Sequence, residues 1–406
     1  MKKLSNPHFD IKMNEGIIFI TKDALCKSYL PVYGNKYWAG KTPNIDELAS
    51  KGTVFNRHYT SAPSTVMSFR SMTTGKFAYE QPYSEYTPKE VEGSPTDLFE
   101  IAKSKGYSGH IIWDSTWVKM VLRYGNCYGA DTQIHNMDGL KQGVGAYYKK
   151  GTPLKNDDTK VTQTIERIVN EVEGILNNTP KAFVWLHLPH VIYGRTSYGS
   201  DMDAFDMLIG SIRRLFSDDN IFISADHGNM NGYNGKYCYG FDVHSSAIEI
   251  PLISPRIEGL SHCDSLTCNV DIKTLIFERK ITPRELVFVD TAYYAQPHRK
   301  LAIVNTQFAY LYNKAEKSEE LYDLEYDRDM RCNLLKPTNY DPDRNIMASV
   351  RDYYFSPYWD DAEEIAESFR KIKNEIWRNG APFEEFKNKY IRKLKFFISK
   401  QLVRFK

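Results

Sequence analysis

Two short stretches carry side chains of the kind that an active site needs. Thr65 follows Pro63 and Ser64, which break regular structure, and precedes an apolar run that begins at Val66. This order places Thr65 at or next to a helix N-terminus, where unpaired amides and the helix dipole favour an anion. A threonine there can be a helix cap, or it can be a nucleophile toward an anionic phosphoryl or sulfuryl group.

The second stretch is Asp226-His227-Gly228, which directly follows an apolar run. A carboxylate and an imidazole at the end of a buried strand can turn toward one cation, and glycine lets the backbone bend away. Asp23 follows the apolar run 17–20, at the strand end where open α/β sheets bind ligands. From the residues alone, Asp23 can also be a cap or turn residue, and Asp-His-Gly is common without a metal.

The elements that must position these side chains alternate between strand and helix patterns. Short apolar runs predict buried strands at 17–20, 110–114, 181–188 and 221–225. Helical periodicity predicts helices at 43–51, 96–105, 159–177, 203–216 and 360–377, and the pattern at 301–312 predicts a half-buried strand pair. Residues 115–158 are expected to form a loop-rich, substrate-facing insertion. The alternation predicts an α/β fold with a mainly parallel sheet covered on both faces.

Length and composition are those of an ordinary globular protein. The 406 residues can bury one large core, and 42% apolar and 26% charged residues are ordinary values for a soluble protein. A net charge of +2 gives no indication of a nucleic-acid partner. The first residues lack the apolar run of a signal peptide, and six dispersed cysteines are expected to be reduced thiols. These features predict a cytoplasmic protein, with peripheral attachment to the inner membrane face as a further hypothesis.

Several stretches resemble the sulfatase-like branch of the alkaline phosphatase superfamily. They are Thr-Pro-Asn-Ile-Asp-Glu-Leu-Ala-Ser-Lys-Gly at 42–52, Gly75 ten residues after Thr65, Asp-His-Gly at 226–228, the strand at 249–255, and Glu-Leu-Tyr-Asp-Leu-x-x-Asp at 320–327. The resemblance spans about residues 15 to 336. It implies a three-layer α/β/α sandwich with a mainly parallel central sheet, as a catalytic domain at 1–340. A helical basic extension would follow at 341–406.

At the nucleophile, the chain departs from the sulfatase pattern. Sulfatases carry a Cys or Ser within Cys/Ser-x-Pro-x-Arg, and that residue is oxidised to formylglycine. Counting back from Gly75 assigns Thr65 to this position, with Arg70 one place late. Threonine cannot become formylglycine, so the pattern is more similar to phosphoethanolamine and glycerol-phosphate transferases, which use an unmodified threonine.

The resemblance therefore implies a metal-dependent hydrolase or transferase that acts on phosphoesters through a covalent phospho-threonine. A sulfate-ester hydrolase and a catalytically silent relative that binds glycan or lipid headgroups are the alternatives. The implied metal site consists of Asp23, Thr65, Asp226 and His227. Because a histidine stands in place of an oxygen ligand, the donor set favours one Zn²⁺ or Mn²⁺ ion, with Ca²⁺ and Mg²⁺ as alternatives.

Three histidines and two cationic residues are secondary candidates. In related transferases, histidines at comparable positions protonate the leaving group or hold the substrate phosphate, which gives His190 and His244 a catalytic role and His187 a substrate-binding role. Each can instead be a satisfied core or surface residue. Arg70 and Lys22 are candidates for binding the non-bridging oxygens, or are surface charges. The expected substrate is a phosphorylated glycan or a lipid-linked small molecule, not a nucleic acid.

The end of the chain is strongly basic. From Lys387 to Lys406 it holds eight Lys and Arg residues and no acidic residue. One interpretation is a helix that packs on the domain and exposes a basic face. The other is a peripheral contact of residues 386–406 with an anionic membrane or a polyanionic substrate. The two are compatible, and the sequence does not indicate an oligomeric state.

Overall fold

Strands and helices alternate through the computed structural model, which describes residues 15–81, 98–114, 131–137, 155–192, 194–232, 236, 239–291, 299–335 and 356–379. The strands in these ranges are β1 (Ile17–Lys22), β2 (Thr53–Phe55), β3 (His58–Tyr59), β4 (Ser108–Trp113), β5 (Gln133–Asn136), β6 (Ala182–Leu188), β7 (Ile221–Ala225), β8 (Leu252–Ser254), β9 (His262–Cys263), β10 (Thr267–Cys268), β11 (Val287–Asp290), β12 (Lys300–Val304), β13 (Phe308–Asn313) and β14 (Ser318–Asp323). The helices are α1 (Pro43–Lys51), α2 (Thr65–Thr74), α3 (Leu98–Ser104), α4 (Asp158–Asn178), α5 (Met202–Ile212), α6 (Ser245–Ile248), α7 (Ile272–Glu278) and α8 (Ala362–Asn379).

Eight strands form the central sheet in the order β5-β4-β6-β1-β7-β8-β2-β9. The pairs from β5 through β7 are parallel, and β8 runs antiparallel to both of its neighbours. Strand β1 lies between β6 and β7, so the residues after β1 and β7 meet at the same sheet edge. The predicted mainly parallel α/β sheet is confirmed.

Both faces of this sheet are buried, which explains why its strands read as continuous apolar runs. Ile18 and Ile20 of β1 pack in a core with α1, α4 and α5. Ile17 and Phe19 point to the opposite face and pack with α2, α3 and α7. The arrangement is the predicted three-layer α/β/α sandwich.

Helix boundaries follow the sequence pattern closely, with one informative difference. Helix α1 occupies the predicted residues, and α4 extends the prediction by one residue at each end. Helix α5 ends at Ile212, whereas the pattern predicts helix to 216. The chain continues in tight turns, in which the Leu215 amide bonds the Ile212 carbonyl at 2.8 Å, and Phe216 stays in the core. The apolar pattern therefore continues beyond the helix because the turn is also packed.

A second sheet follows, with the antiparallel order β11-β12-β13-β14. One face, which includes Val289 and Ala302, packs toward the main body of the chain. The other face, which includes Leu301 and Ile303, is covered by α8. The helix predicted at 360–377 is therefore present, shifted by two residues to 362–379, and it covers this sheet.

Some predictions concern residues that the structure does not describe. The domain boundary at 340 and the basic segment 386–406 lie outside the described residues, as does most of the expected insertion at 115–158. Within that insertion, Gln133–Asn136 forms β5 and joins the sheet edge, where the sequence predicts loop. None of the helices in the described part of the chain is long and apolar enough to cross a membrane.

Candidate metal and nucleophile site

The two acidic candidates lie together at the carboxyl edge of the central sheet. Asp23 is the first residue after β1, and its amide donates a hydrogen bond of 3.0 Å to the Leu188 carbonyl. The next residue, Ala24, has a positive φ of 57°. Its amide donates to Oδ1 of Asp226 at 3.0 Å. This turn brings the end of β1 against the end of β7.

Gly228 is required by a close backbone approach. A Cβ atom at this position would lie 2.1 Å from the carbonyl oxygen of Ser246, and the Gly228 amide donates to the Ala247 carbonyl at 2.9 Å. The Gly228 carbonyl oxygen also lies 2.8 Å from Nδ1 of His227. With Nδ1 protonated and donating to this carbonyl, Nε2 of His227 keeps its lone pair as a ligand atom.

Thr65 faces this cluster from α2. It is the first residue of the helix and is fully buried. Its Oγ1 lies 3.2 Å from Nε2 of His227. The same nitrogen lies 3.4 Å from Asp226 Oδ2 and 3.7 Å from Asp23 Oδ1. The structure thus brings together all four residues that the sequence analysis assigns to the metal.

The donor set fits a divalent cation. One ligand atom from each of Asp23, Asp226 and His227 lies within 4.8 Å of the others. Burial raises the pKa of Asp226 to about 7 and lowers the pKa of His227. Asp226 Oδ2 is buried without a hydrogen-bond partner among the described residues. Buried carboxylates need a counter-charge, and two carboxylates with one imidazole can supply oxygen and nitrogen ligands to Zn²⁺ or Mn²⁺.

The N-terminus of α2 offers an environment for an anion. Ser64 is the N-cap residue, yet its hydroxyl makes no cap hydrogen bond. The hydroxyls of Ser61 and Ser64 are buried and have no partner within the described ranges. Arg70 is only 5% exposed, and no hydrogen bond or ion pair of its guanidinium occurs among the described residues. Unused hydroxyl donors at a helix N-terminus favour a bound phosphate or sulfate group. Arg70, in the middle of the same helix, is a buried cation that could add to the binding of an anion.

Helix α2 is fixed to β7 by a small polar network. Ser68 Oγ donates a 2.6 Å hydrogen bond to the carbonyl oxygen of Asp226. Asn269 Nδ2 donates to the hydroxyls of Ser68 and Thr60, at 2.9 and 3.1 Å, and its Oδ1 accepts from the Ser61 amide. Asn269 is not among the residues predicted from the sequence. A single buried asparagine far along the chain gives no local sign of its partners.

Two of the candidate histidines lie near the carboxyl end of β6. His187 is buried, with Nδ1 3.0 Å from Thr21 Oγ1 and its ring edge-on to Phe69 of α2 at 4.7 Å. His190 is half-buried and stacks on Tyr198 at 4.7 Å. Its Nε2 lies 3.2 Å from Asn229 Nδ2. Asn229 was not predicted, although it directly follows the Asp-His-Gly stretch.

His244 and Lys22 occupy different environments from those expected. His244 Nε2 lies 2.9 Å from the Met330 carbonyl oxygen, and Nδ1 lies 3.3 Å from Ser245 Oγ. The described contacts therefore do not join His244 to Thr65. Lys22 is fully buried in an ion pair with Asp201 and donates to the Pro189 carbonyl at 3.1 Å. Because it follows Thr21 in the strand, its side chain points to the opposite face.

Comparisons with known proteins identify the family of this chain. The Sulfatase family model matches residues 16–255. A human protein, N-acetylgalactosamine-6-sulfatase, is 24% identical over 281 residues, which are 55% of this chain and 53% of that protein. The chain thus spans about half the length of this curated relative.

Solved structures share the fold at low sequence identity. The phosphonate monoester hydrolase of Agrobacterium radiobacter has a TM-score of 0.62 and 14% identity, over 89% of this chain and 96% of that one. The phosphonate monoester hydrolase of Silicibacter pomeroyi has a TM-score of 0.59 and 13% identity, over 90% and 96%. A 2-O GAG sulfatase has a TM-score of 0.60 and 15% identity, over 87% and 94%. Because the family match covers more than half of the 406 residues, the chain belongs to the Sulfatase family.

Proposed function

We propose that this chain is a metal-dependent hydrolase or transferase of phosphoesters that uses Thr65 as its nucleophile. The observation that carries this proposal is the buried Thr65 hydroxyl, 3.2 Å from His227 Nε2 at the edge of the metal cluster. A threonine has no route to formylglycine, so the oxidised nucleophile of sulfatases is not available to it. An unmodified hydroxyl matches displacement at phosphorus, which needs a positioned oxygen nucleophile and neutralised substrate charge.

The residues divide into three tasks. Asp23, Asp226 and His227 would hold one divalent cation, with Zn²⁺ or Mn²⁺ favoured by the mixed oxygen and nitrogen donors. A cation bound there would lower the pKa of a contacting hydroxyl and offset the negative charge of the substrate. Arg70 and the α2 N-terminus would bind the non-bridging oxygens.

The reaction then runs in two displacements. Thr65 first loses its proton to solvent. Its ionised Oγ1 then forms a bond to phosphorus while the bond to the leaving oxygen breaks, and protonated His190 gives its proton to that oxygen. Water or an acceptor hydroxyl next attacks the phospho-threonine and passes its own proton to the now neutral His190, while Thr65 leaves as the ionised oxygen and the enzyme is regenerated. His187, which contacts Thr21 and Phe69, would line the substrate pocket on the α2 side of the sheet.

We propose a phosphorylated glycan or a lipid-linked small molecule as the substrate class. One structural neighbour is a GAG sulfatase, which supports a glycan-type substrate. The basic residues of 386–406 would hold the protein at an anionic membrane when the substrate is lipid-linked. Sedimentation with vesicles containing anionic lipid, compared with neutral vesicles, tests this contact.

Sulfate-ester hydrolysis is the second candidate, favoured by the family match and the human relative. Turnover of bis-p-nitrophenyl phosphate and p-nitrophenyl sulfate by purified protein separates the two candidates. We expect phosphodiester turnover that is lost in Thr65→Ala and retained in Thr65→Ser, because serine keeps the hydroxyl. Sulfate-ester turnover that survives Thr65→Ala would show that Thr65 is not the nucleophile. Protein that is inert to both esters with Zn²⁺ or Mn²⁺ added would favour the silent headgroup-binding relative.

A further inference from the structure

We propose that His110 and His135 form a second metal site, for a transition-metal ion such as Zn²⁺, at the edge of the central sheet. Nδ1 of His110 and Nε2 of His135 face each other at 3.0 Å. The site is separate from the cluster described above. His110 lies within β4, the strand next to the edge strand β5. Asp23 and Asp226 instead follow the carboxyl ends of β1 and β7.

The sheet itself places the two imidazoles together. His110 pairs with Gln133, and His135 pairs with Ile112, in the parallel register of β4 and β5. The two histidines are therefore two register positions apart on neighbouring strands and point to the same face. Helix α4 covers that face and contributes Glu171.

Each imidazole is oriented through its other nitrogen. Glu171 Oε1 lies 2.6 Å from Nδ1 of His135, and Ser108 Oγ lies 3.0 Å from Nε2 of His110. A carboxylate that accepts the second N–H of a histidine is the usual support of a metal ligand, because it fixes both the ring and the tautomer. The nitrogens left over are the two that face each other.

The distance between the two facing nitrogens suits tetrahedral coordination of a metal ion. Zn–N bonds of about 2.0–2.1 Å at tetrahedral angles put two ligand nitrogens about 3.3 Å apart, close to the observed separation. In the tautomer that keeps a proton on His135 Nδ1 for Glu171, His110 Nδ1–H would donate to His135 Nε2, and the Ser108 hydroxyl would donate to His110 Nε2. On metal binding, the His110 proton would move to Nε2 and be donated to Ser108 Oγ. The number of protons on the two rings would therefore not change.

Space for the remaining ligands is present. A cavity of about 280 Å³ is lined by both histidines, Glu171 and the amides of Gln133 and Asn170. Gly174 also lines it, and a Cβ atom there would meet nothing within 4 Å. Water molecules can therefore complete the coordination of an ion held by two imidazoles. Burial lowers the pKa of His110 to about 4, which keeps its ring neutral at physiological pH.

Equilibrium dialysis against a fixed free Zn²⁺ concentration, with metal counted by mass spectrometry, tests the site. We expect His135→Ala and His110→Ala each to bind one ion fewer than the wild type. His262→Ala, which removes an exposed histidine of β9, is the matched control and should bind the wild-type number. Asp226→Asn should retain the ion that His135→Ala lacks. Equal Zn²⁺ content in the wild type and His135→Ala would overturn the proposal.

A conservative substitution tests the same site with less risk of misfolding. Glu171→Gln keeps the side-chain shape and should weaken Zn²⁺ binding at this site by roughly 10–100-fold, as loss of a supporting carboxylate does. Competition with a chromophoric chelator measures this change. Circular dichroism confirms that each variant is folded. Co²⁺ added to the Asp226→Asn variant should give visible absorption that disappears in Asp226→Asn/His135→Ala. Unchanged affinity in Glu171→Gln, or an unchanged Co²⁺ spectrum, would refute the site.

Discussion

The hydroxyl of Ser68 donates a 2.6 Å hydrogen bond to the carbonyl oxygen of Asp226. This contact ties the helix that begins with Thr65 to the strand end that carries two of the proposed metal ligands. The proposed nucleophile and the Asp226-His227 part of the proposed metal site come from segments about 160 residues apart. Their alignment therefore depends on a residue that takes no part in the chemistry.

Ser68→Ala should lower kcat for phosphodiester turnover while leaving metal content unchanged. A displacement of the nucleophile by about 1 Å can cost roughly a hundredfold in rate. Ser71→Ala is the matched control, since Ser71 is a buried serine of the same helix that accepts a hydrogen bond from Gln81 instead. Equal kcat for the two variants would mean that Ser68 does not position Thr65.

Metal addition should stabilise the protein, because the ion would supply the counter-charge for buried Asp23 and Asp226. An ion at about 100 times its dissociation constant adds about 2.7 kcal/mol to the free energy of unfolding. Thermal melts of chelator-treated protein, with and without Zn²⁺ or Mn²⁺, measure the change in Tm. Asp226→Asn, which removes one ligand charge, should lose this response to Mn²⁺, and should keep only the part of the Zn²⁺ response that comes from the separate pair of His110 and His135. A Tm that rises equally in Asp226→Asn would place the binding elsewhere.

Lys22 is predicted to act on stability and not on substrate binding. Lys22→Met would leave Asp201 buried without its cation, and breaking such a pair costs about 3–5 kcal/mol. Lys22→Met/Asp201→Asn should recover part of this loss, because asparagine can still accept from the Ile192 amide that bonds Asp201 at 2.8 Å. Urea unfolding measures both variants. A stable Lys22→Met protein with a raised KM would instead support the substrate contact expected from the sequence.

His190 is predicted to protonate the leaving oxygen, so its loss should matter most for poor leaving groups. His190→Gln should slow transfer from an alkyl phosphodiester by about 10²–10⁴-fold and change p-nitrophenyl turnover far less. His244→Gln is the comparison, because His244 faces the Met330 carbonyl and should show no such dependence on the leaving group. If only His244→Gln slowed transfer from poor leaving groups, His244 and not His190 would be the residue that protonates the leaving oxygen.

The sequence predicts the sheet and most helices because their signals are local. Apolar runs indicate strands that are buried on both faces, as in β1 and β7, and the periodicity of α4 is long enough to fix its ends. Asp23, Asp226 and His227 directly follow such strands, which predicts their place at the sheet edge, whereas their proposed role as metal ligands comes from the resemblance to sulfatase-like enzymes. Their convergence depends only on the parallel order of β1 and β7.

Other features depend on contacts that no local pattern contains. Lys22 reads as a surface charge beside Asp23, yet strand alternation turns it toward Asp201, which lies on a different element. His244 follows a stretch similar to family loops, but its environment is set by the distant Met330. The pair formed by His110 and His135 exists only because β5 adds to the sheet edge from a segment that lacks a strand pattern.

The proposed function requires that Thr65 becomes covalently phosphorylated during turnover. Rapid acid quenching of wild-type protein with a phosphodiester in the first turnover, followed by peptide mass mapping, tests it most directly. We expect a phosphoryl adduct on Thr65 in the wild type, and neither adduct nor turnover in Thr65→Ala. Phosphodiester or sulfate-ester turnover that persists in Thr65→Ala, without any adduct on Thr65 in the wild type, would contradict it.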